Sequence, residues 1–390
     1  MKILLCNKFY YRRGGDCVYS LNLEELLLSH GHDVAVFAMD HPDTLGTPWR
    51  KYFPSEVNLD SATSKARFFV RSLGGGETAS RFKALLDAFR PDVVHLNNIH
   101  SQLSPIIAEL AHKRGCRVVW TLHDYKLLCP RYDCLKNGET LCEACFQDKR
   151  NVLRNSCMKN SLPASLMAYC EALKWNRSRL EACTDAFICP SLFMKAKMVQ
   201  GGFNAGKLHH LCNFIDTDQC RQSDYSKRDD YYCYVGRLSF EKGVDTLIQV
   251  AATLPYRLVV VGDGPLMASL RKAGNIEYVG RKDWPDVKRI VGRARFLVIP
   301  SECYENNPLS VLESLSLGTP VLGASIGGIP ELISAENGMC FESRSQESLA
   351  SHIKAMYEAN FDYTAIADAA MAHFSSKAYL KQLLAVYQSA

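Results

Sequence analysis

Residues 231–243 read Tyr231-Tyr232-Cys233-Tyr234-Val235-Gly236-Arg237-Leu238-Ser239-Phe240-Glu241-Lys242-Gly243. A short apolar run, Tyr231–Val235, predicts a strand. A loop with two cations follows, and then a helical segment over Gly243–Thr253. Downstream the same unit recurs, with apolar runs at Arg257–Val261, Ile276–Val279, Phe296–Ile299 and Pro320–Gly323 and a second helical segment at Leu309–Leu317. Alternation of short strands and helices is the pattern of a doubly wound α/β sheet.

Upstream the series has already run once. Ile3–Cys6, Asp33–Ala38, Asp92–Leu96, Arg117–Leu122 and Asp185–Cys189 read as strands, with a helix near Asp16–His30. These runs are continuously apolar rather than alternating, as in parallel strands buried on both faces. Two series predict two Rossmann-like domains, 1–216 and 217–372, divided near the polar stretch Asn213–Asp230. Ligands of such sheets bind beyond the carboxyl ends of the strands, so a central cleft between facing domains is expected. Residues 373–390 are expected to form a helix, with Leu380, Leu383, Leu384 and Tyr387 at helical spacing, packing back on the first domain.

The chain has 390 residues, 47% hydrophobic and 22% charged, which suits globular domains and excludes long disorder. Its formal charge of +5, from 46 basic and 41 acidic residues, is too mild to indicate nucleic acid. No run approaches the length of a membrane span, and Met1–Cys6 does not read as a signal peptide. A cytoplasmic location is expected, with peripheral contact at the inner face of the membrane through Arg67, Arg71, Arg81, Lys83 and Arg90. A solvated helix surface is the alternative.

The residues just after strands carry the chemistry. Gly14 and Gly15 sit at a helix start, where backbone N–H groups approach an anion, although a plain tight turn uses the same residues. Arg237 and Lys242 are cations at a strand exit, suited to a diphosphate and expected to face solvent. In Glu305-Asn306-Asn307-Pro308-Leu309-Ser310, the proline fits a first helical turn and leaves the N–H groups of Leu309 and Ser310 for an anion. Glu313, about one turn on, can accept hydrogen bonds from the vicinal hydroxyls of a ribose.

Taken in order, these features resemble a retaining glycosyltransferase of family 4, with the two-Rossmann GT-B fold. The resemblance rests on Gly14–Gly15, on Thr121-Leu122-His123-Asp124, on Gly236-Arg237…Glu241-Lys242-Gly243, and on Glu305 and Glu313 with seven residues between them. Asn213-Phe214-Ile215-Asp216 and Gly262-Asp263-Gly264-Pro265 resemble the family's hinge and its usual strand-end turn. The resemblance implies a nucleotide-sugar donor, UDP-linked in most relatives. Arg237 and Lys242 would take its diphosphate and Glu313 its ribose. Glu305 would lie near the sugar, with Asn307, Leu309 and Ser310 completing the site and the base near Gly280–Lys282. Gly15 would approach the phosphate and His123 the sugar, with Asp124 and His95 as weaker candidates. No catalytic metal is expected. The acceptor would be a glycan or lipid-linked glycan of a bacterial surface polysaccharide such as capsule or lipopolysaccharide. The rival readings are a GT-B-like epimerase or phosphorylase, and a zinc-stapled sugar-nucleotide-binding protein without turnover.

The chain has 16 cysteines, and five of them fall in one polar stretch. Cys129, Cys142, Cys145 and Cys157 have the composition of a structural zinc site, with Cys134 the extra thiol; unligated thiols and a redox or iron–sulfur role are the alternatives. The insertion 129–157 lacks a strong apolar pattern and is expected to need such a staple.

Overall fold

The computed structural model describes residues 1–57, 60–222, 224–268, 270 and 273–389. They form two compact units. One comprises Met1–Cys212 with the chain end from Leu380, the other Asn213–Tyr379.

The first unit is a six-stranded sheet of β1 (Lys2–Cys6), β2 (Asp33–Phe37), β3 (Val93–Leu96), β4 (Arg117–Thr121), β5 (Ala186–Cys189) and β6 (Leu208–His210), in the order β2-β1-β3-β4-β5-β6. Every pairing is parallel. Ile3, Leu4, Val94, Val118, Val119, Phe187 and Ile188 are fully buried, which is why these runs do not alternate. Each such side chain contributes roughly 1.5–3 kcal/mol on leaving water.

The second unit repeats the plan with β7 (Tyr232–Val235), β8 (Leu258–Val261), β9 (Ile276–Gly280), β10 (Leu297–Ile299), β11 (Val321–Ala324) and β12 (Gly338–Phe341), in the order β9-β8-β7-β10-β11-β12. This sheet is parallel throughout as well. In each sheet the first strand is flanked on one side by its sequence successor and on the other by a later strand. That is a topological switch point, where the loops leaving two strands diverge and open a crevice. It lies between β1 and β3 in the first unit and between β7 and β10 in the second.

The last helix, Ser376–Gln388, buries Leu380, Leu383, Val386 and Tyr387. The Tyr387 hydroxyl lies 2.5 Å from His95 Nδ1, and His95 Nε2 lies 2.7 Å from Thr121 Oγ1. His95 is therefore a satisfied core residue of β3 that ties the chain end to the sheet. Arg71 also departs from expectation. It is buried, pairs with Glu77 at 3.0 Å and donates to the Ser55 carbonyl, so it takes no part in a basic surface. Arg67, Arg81, Lys83 and Arg90 are exposed.

The cysteine-rich insertion has short elements and a small core of its own. Leu135–Lys136 and Thr140–Leu141 form an antiparallel hairpin, and two short helices follow at Ala144–Gln147 and Asn151–Arg154. Cys145, Val152, Cys157 and Ala168 make a small core of their own, with Leu153, Met158 and Tyr169 packed against it.

Candidate active site

Both sides of the second unit's switch point carry predicted site residues. The loop after β7 is held by backbone hydrogen bonds, Gly236 N–H to Val261 O at 3.0 Å and Leu238 N–H to Asp263 O at 2.9 Å. The turn at Gly262–Pro265 packs directly beneath it, since a Cβ on Gly264 would meet Leu238 O at 2.3 Å. Gly243 takes φ +65° where α1 (Val244–Ala251) begins, and a Cβ there would meet Pro300 O at 1.9 Å. Glycine is thus required for the loops after β7 and β10 to touch.

Lys242 Nζ lies 2.5 Å from Glu305 Oε1, with Lys242 about a third exposed and Glu305 13% exposed. The Ser301 hydroxyl donates to the same carboxylate oxygen at 2.7 Å. Burial pulls the Lys242 ammonium down, but the Glu305 carboxylate outweighs it and holds the lysine above its ordinary range. Burial likewise pushes Glu305 up, yet Lys242 and Ser301 hold it below the usual glutamate range. Both groups are charged at neutral pH. Lys242 is therefore not the solvent-facing cation that the sequence suggested. Arg237 is exposed, and no hydrogen bond or ion pair holds its side chain among the described residues.

The Glu305 loop is fixed from behind. Gly328 N–H donates to Glu305 O at 2.8 Å, and a Cβ on Gly327, at φ +62°, would meet that oxygen at 2.2 Å. Asn307 is held by Asn213, whose N–H donates to Asn307 Oδ1 at 3.0 Å and whose side-chain amide donates to Asn307 O at 2.9 Å. Pro308 then caps α2 (Leu309–Ser316), and no side chain caps its first turn. The amides of Leu309 and Ser310 are left to a ligand or water. The Glu313 carboxyl has no hydrogen-bond or ion-pair partner among the described residues, and burial pushes it up to about 7. Gly280 ends β9 at φ +70°, and Lys282, just beyond it, is exposed.

In the first unit, Gly14 caps α3 (Gly15–Ser29), again without a side-chain cap. His123 leaves β4 with Nε2 2.9 Å from Asn97 Oδ1 and its ring edge-on to Tyr19 at 4.8 Å. Burial takes His123 down to about 4, against the pull of Asp16, so the imidazole is neutral at physiological pH. Asp124 lies 3.7 Å from His100 Nε2 and accepts the Lys126 N–H at 2.9 Å, and burial raises it to about 7. The sequence reading missed Asn97, which orients His123, and the pair Asn98–Asp16 at 3.0 Å. Two consecutive asparagines directly after β3 were the available signal, because polar residues at a strand exit face the crevice.

The thiols expected to hold zinc lie in the insertion, where Cys129 interacts with Cys145, and Cys157 lies near Cys129 and Cys142. Among the described residues, no group of three or more His, Cys, Asp or Glu side chains is placed to hold a metal ion. Cys134 and Cys145 both hydrogen-bond to Cys129, which holds that thiol well below its ordinary range. Cys145 also belongs, with Cys157, to the insertion's apolar core.

Comparison with known proteins agrees with this geometry. Residues 216–373 match the family described as glycosyl transferases group 1, and residues 13–219 match glycosyltransferase family 4. The chain is 25% identical over 354 residues to an uncharacterised 42.6 kDa protein in the cps region of Klebsiella pneumoniae, covering 85% of this chain and 87% of that one. Sucrose-phosphate synthase from Thermosynechococcus elongatus shares the fold with a TM-score of 0.69 at 17% identity, over 99% of this chain and 98% of the other. Anabaena HepE in complex with UDP-glucose superposes with a TM-score of 0.66 at 15% identity, over 98% of both chains. These solved structures are GT-B glycosyltransferases, and the matched stretches carry the switch-point loops of both sheets. The chain belongs to glycosyltransferase family 4 and is a glycosyltransferase with the GT-B fold.

Proposed function

We propose that the enzyme moves a sugar from a UDP-linked donor to a glycan or lipid-linked acceptor, with retention of anomeric configuration, in the synthesis of a bacterial surface polysaccharide. The observation that carries this reading is the Lys242–Glu305 pair at the switch point of the second sheet, with Arg237, unpartnered among the described residues, on the same loop as Lys242. Breaking the anomeric C–O bond puts positive charge on the sugar ring and negative charge on the departing diphosphate. Fixed cations at the leaving group stabilise that change without reorganising. Lys242 is preorganised by Glu305, and Arg237 is free to swing onto the phosphates. The amides of Leu309 and Ser310 add donors at a helix start. Glu313 takes the ribose hydroxyls, and Asn307 and Gly280 complete the donor pocket.

Glu305 is held ionised by Lys242, which suits it to stabilise positive charge at the sugar rather than to donate a proton. Neutral His123, oriented by Asn97, offers a hydrogen bond to a sugar hydroxyl, and Gly14–Gly15 approach the phosphate. Attack then comes from the face the leaving group vacates, and the departing phosphate takes the acceptor's proton. The capsule-region relative and the UDP-glucose complex of HepE support the pathway and the nucleotide. Exposed Arg67, Arg81, Lys83 and Arg90 support peripheral contact with an anionic membrane at its inner face; no described helix is long and apolar enough to cross one.

The test is a thermal-shift panel of nucleotide sugars, followed by mass spectrometry of products with and without acceptor glycans. Transfer that requires an acceptor supports this reading. Epimerised donor or phosphorolysis would favour the rival enzymes, and binding without turnover would favour a binding protein.

A further inference from the structure

The first unit holds a cavity of about 460 Å³ that none of the roles above uses. Its walls come from the start of the cysteine-rich insertion, from the end of α4 (Leu162–Lys174) and the residues after it, and from the turn that ends α5 (Leu192–Gln200). The size is that of an ordinary small-molecule site. Gly201 keeps one wall thin, since a Cβ there would meet Leu128 Cδ2 at 2.3 Å.

Three cations line the cavity, Lys126, Lys149 and Arg177; Lys126 pairs with Glu171 in the wall, Arg177 lies 3.9 Å from Glu181 and donates to the Gly202 carbonyl, and Lys149 has no carboxylate partner among the described residues. An ammonium has three donors. Lys126 gives one to Glu171 at 2.9 Å and one to Pro130 O at 2.7 Å. Lys149 gives two to the Leu127 and Leu128 carbonyls. Among the described contacts each lysine keeps one donor for a ligand. His100, also in the wall, is kept neutral by burial and adds no charge. The remaining surface includes Phe146, Trp175 and Phe203.

The two helices that end at this cavity carry apolar faces into solvent. On α4, Leu162, Leu166 and Leu173 are 59%, 51% and 50% exposed, at spacings of four and seven residues that place them on one face. On α5, Leu192 and Val199 are exposed at a spacing of seven. Leu173 belongs both to the stripe and to the cavity wall. An excess of positive charge at the inner end of an apolar track complements one kind of ligand, an anionic head on an apolar chain.

We propose that this cavity binds the phosphate head of a lipid-linked acceptor, with its hydrocarbon chain laid along the exposed leucines of α4. This rests on the glycosyl-transfer reading for its biological role but not for its test. The experiment titrates the full chain with farnesyl phosphate below its micelle concentration, using calorimetry and the fluorescence of Trp175 in the wall. Inorganic phosphate and farnesol serve as the two half-ligands. Saturable binding of one farnesyl phosphate per chain is expected, with each half-ligand at least about tenfold weaker, as for losing one charge-assisted contact or the buried chain. Lys149→Gln and Ser178→Trp, the latter at an exposed rim position where substitutions leave folding little changed, should each weaken it about tenfold while UDP binding persists. Equal affinity for farnesol or for inorganic phosphate would overturn the proposal, as would indifference to both substitutions. Farnesyl phosphate binding to a chain that fails to bind UDP would sustain the cavity and count against the transferase reading instead.

Discussion

Lys242 and Glu305, 63 residues apart, meet at 2.5 Å because β7 and β10 are neighbours in the sheet. The pair joins the two loops that diverge at the switch point, so the lysine proposed to bind the diphosphate is positioned by the carboxylate proposed to face the sugar. Removing either partner should do more than remove a contact with the donor.

Lys242→Ala leaves Glu305 buried without its counter-charge, and an uncompensated buried charge is destabilising. Donor-dependent activity should fall about 10²-fold or more, and the chain should also lose stability. The double variant with Glu305→Gln should recover part of the stability but none of the activity. A double-mutant cycle by denaturant unfolding should give a coupling of about 0.5–3 kcal/mol. Strict additivity would show that the pair does not organise the loops.

Glu313 makes a prediction about pH. Burial raises its carboxyl to about 7 in the folded chain, above its unfolded value, so ionising it costs stability as pH rises toward 7. At pH 8, Glu313→Gln should therefore melt no lower than the native chain. Ribose hydroxyls prefer the ionised acceptor, so affinity for UDP should rise with pH up to about 7 and then level off. The glutamine variant should lose this component, keeping only the titration of the phosphate itself. Identical pH profiles for the two proteins would remove Glu313 from the ribose.

Gly327 tests the support behind Glu305. At φ +62°, with Glu305 O 2.2 Å from where a Cβ would stand, Gly327→Ala should cost about 1–3 kcal/mol and lower donor affinity. Gly31, at φ +77° with nothing within 4 Å, is the control. Gly31→Ala should cost only about 1–2 kcal/mol of backbone strain and leave donor binding unchanged. Equal effects on donor affinity would mean that the loop contact does not matter.

The strands whose burial is two-sided could be read from the chain because Val, Ile and Leu run on without a break, as in Leu258–Val261. The outer strands at Leu208–His210 and Gly338–Phe341 could not, since histidine and glycine interrupt the pattern and burial there is partial. The residues proposed for the site do stand at strand exits, which the same topology explains. Their partnerships were not legible. Nothing local to Lys242 announces Glu305, and nothing near His95 announces Tyr387, because those contacts depend on strand order and on where the chain end docks. The contact of Cys134 with Cys129 was not legible either, because the spacing of cysteines does not say which thiols meet.

The loops after β7 and β10 are proposed to hold a nucleoside diphosphate. Calorimetric titration of UDP into the full chain and into Arg237→Ala tests this most directly, because Arg237 is exposed and unpartnered among the described residues and its loss should leave the fold intact. One UDP should bind per chain, about tenfold or more weakly after the substitution, the scale of one charge-assisted contact. No heat of binding with the native chain, or equal affinity in the two proteins, would contradict it.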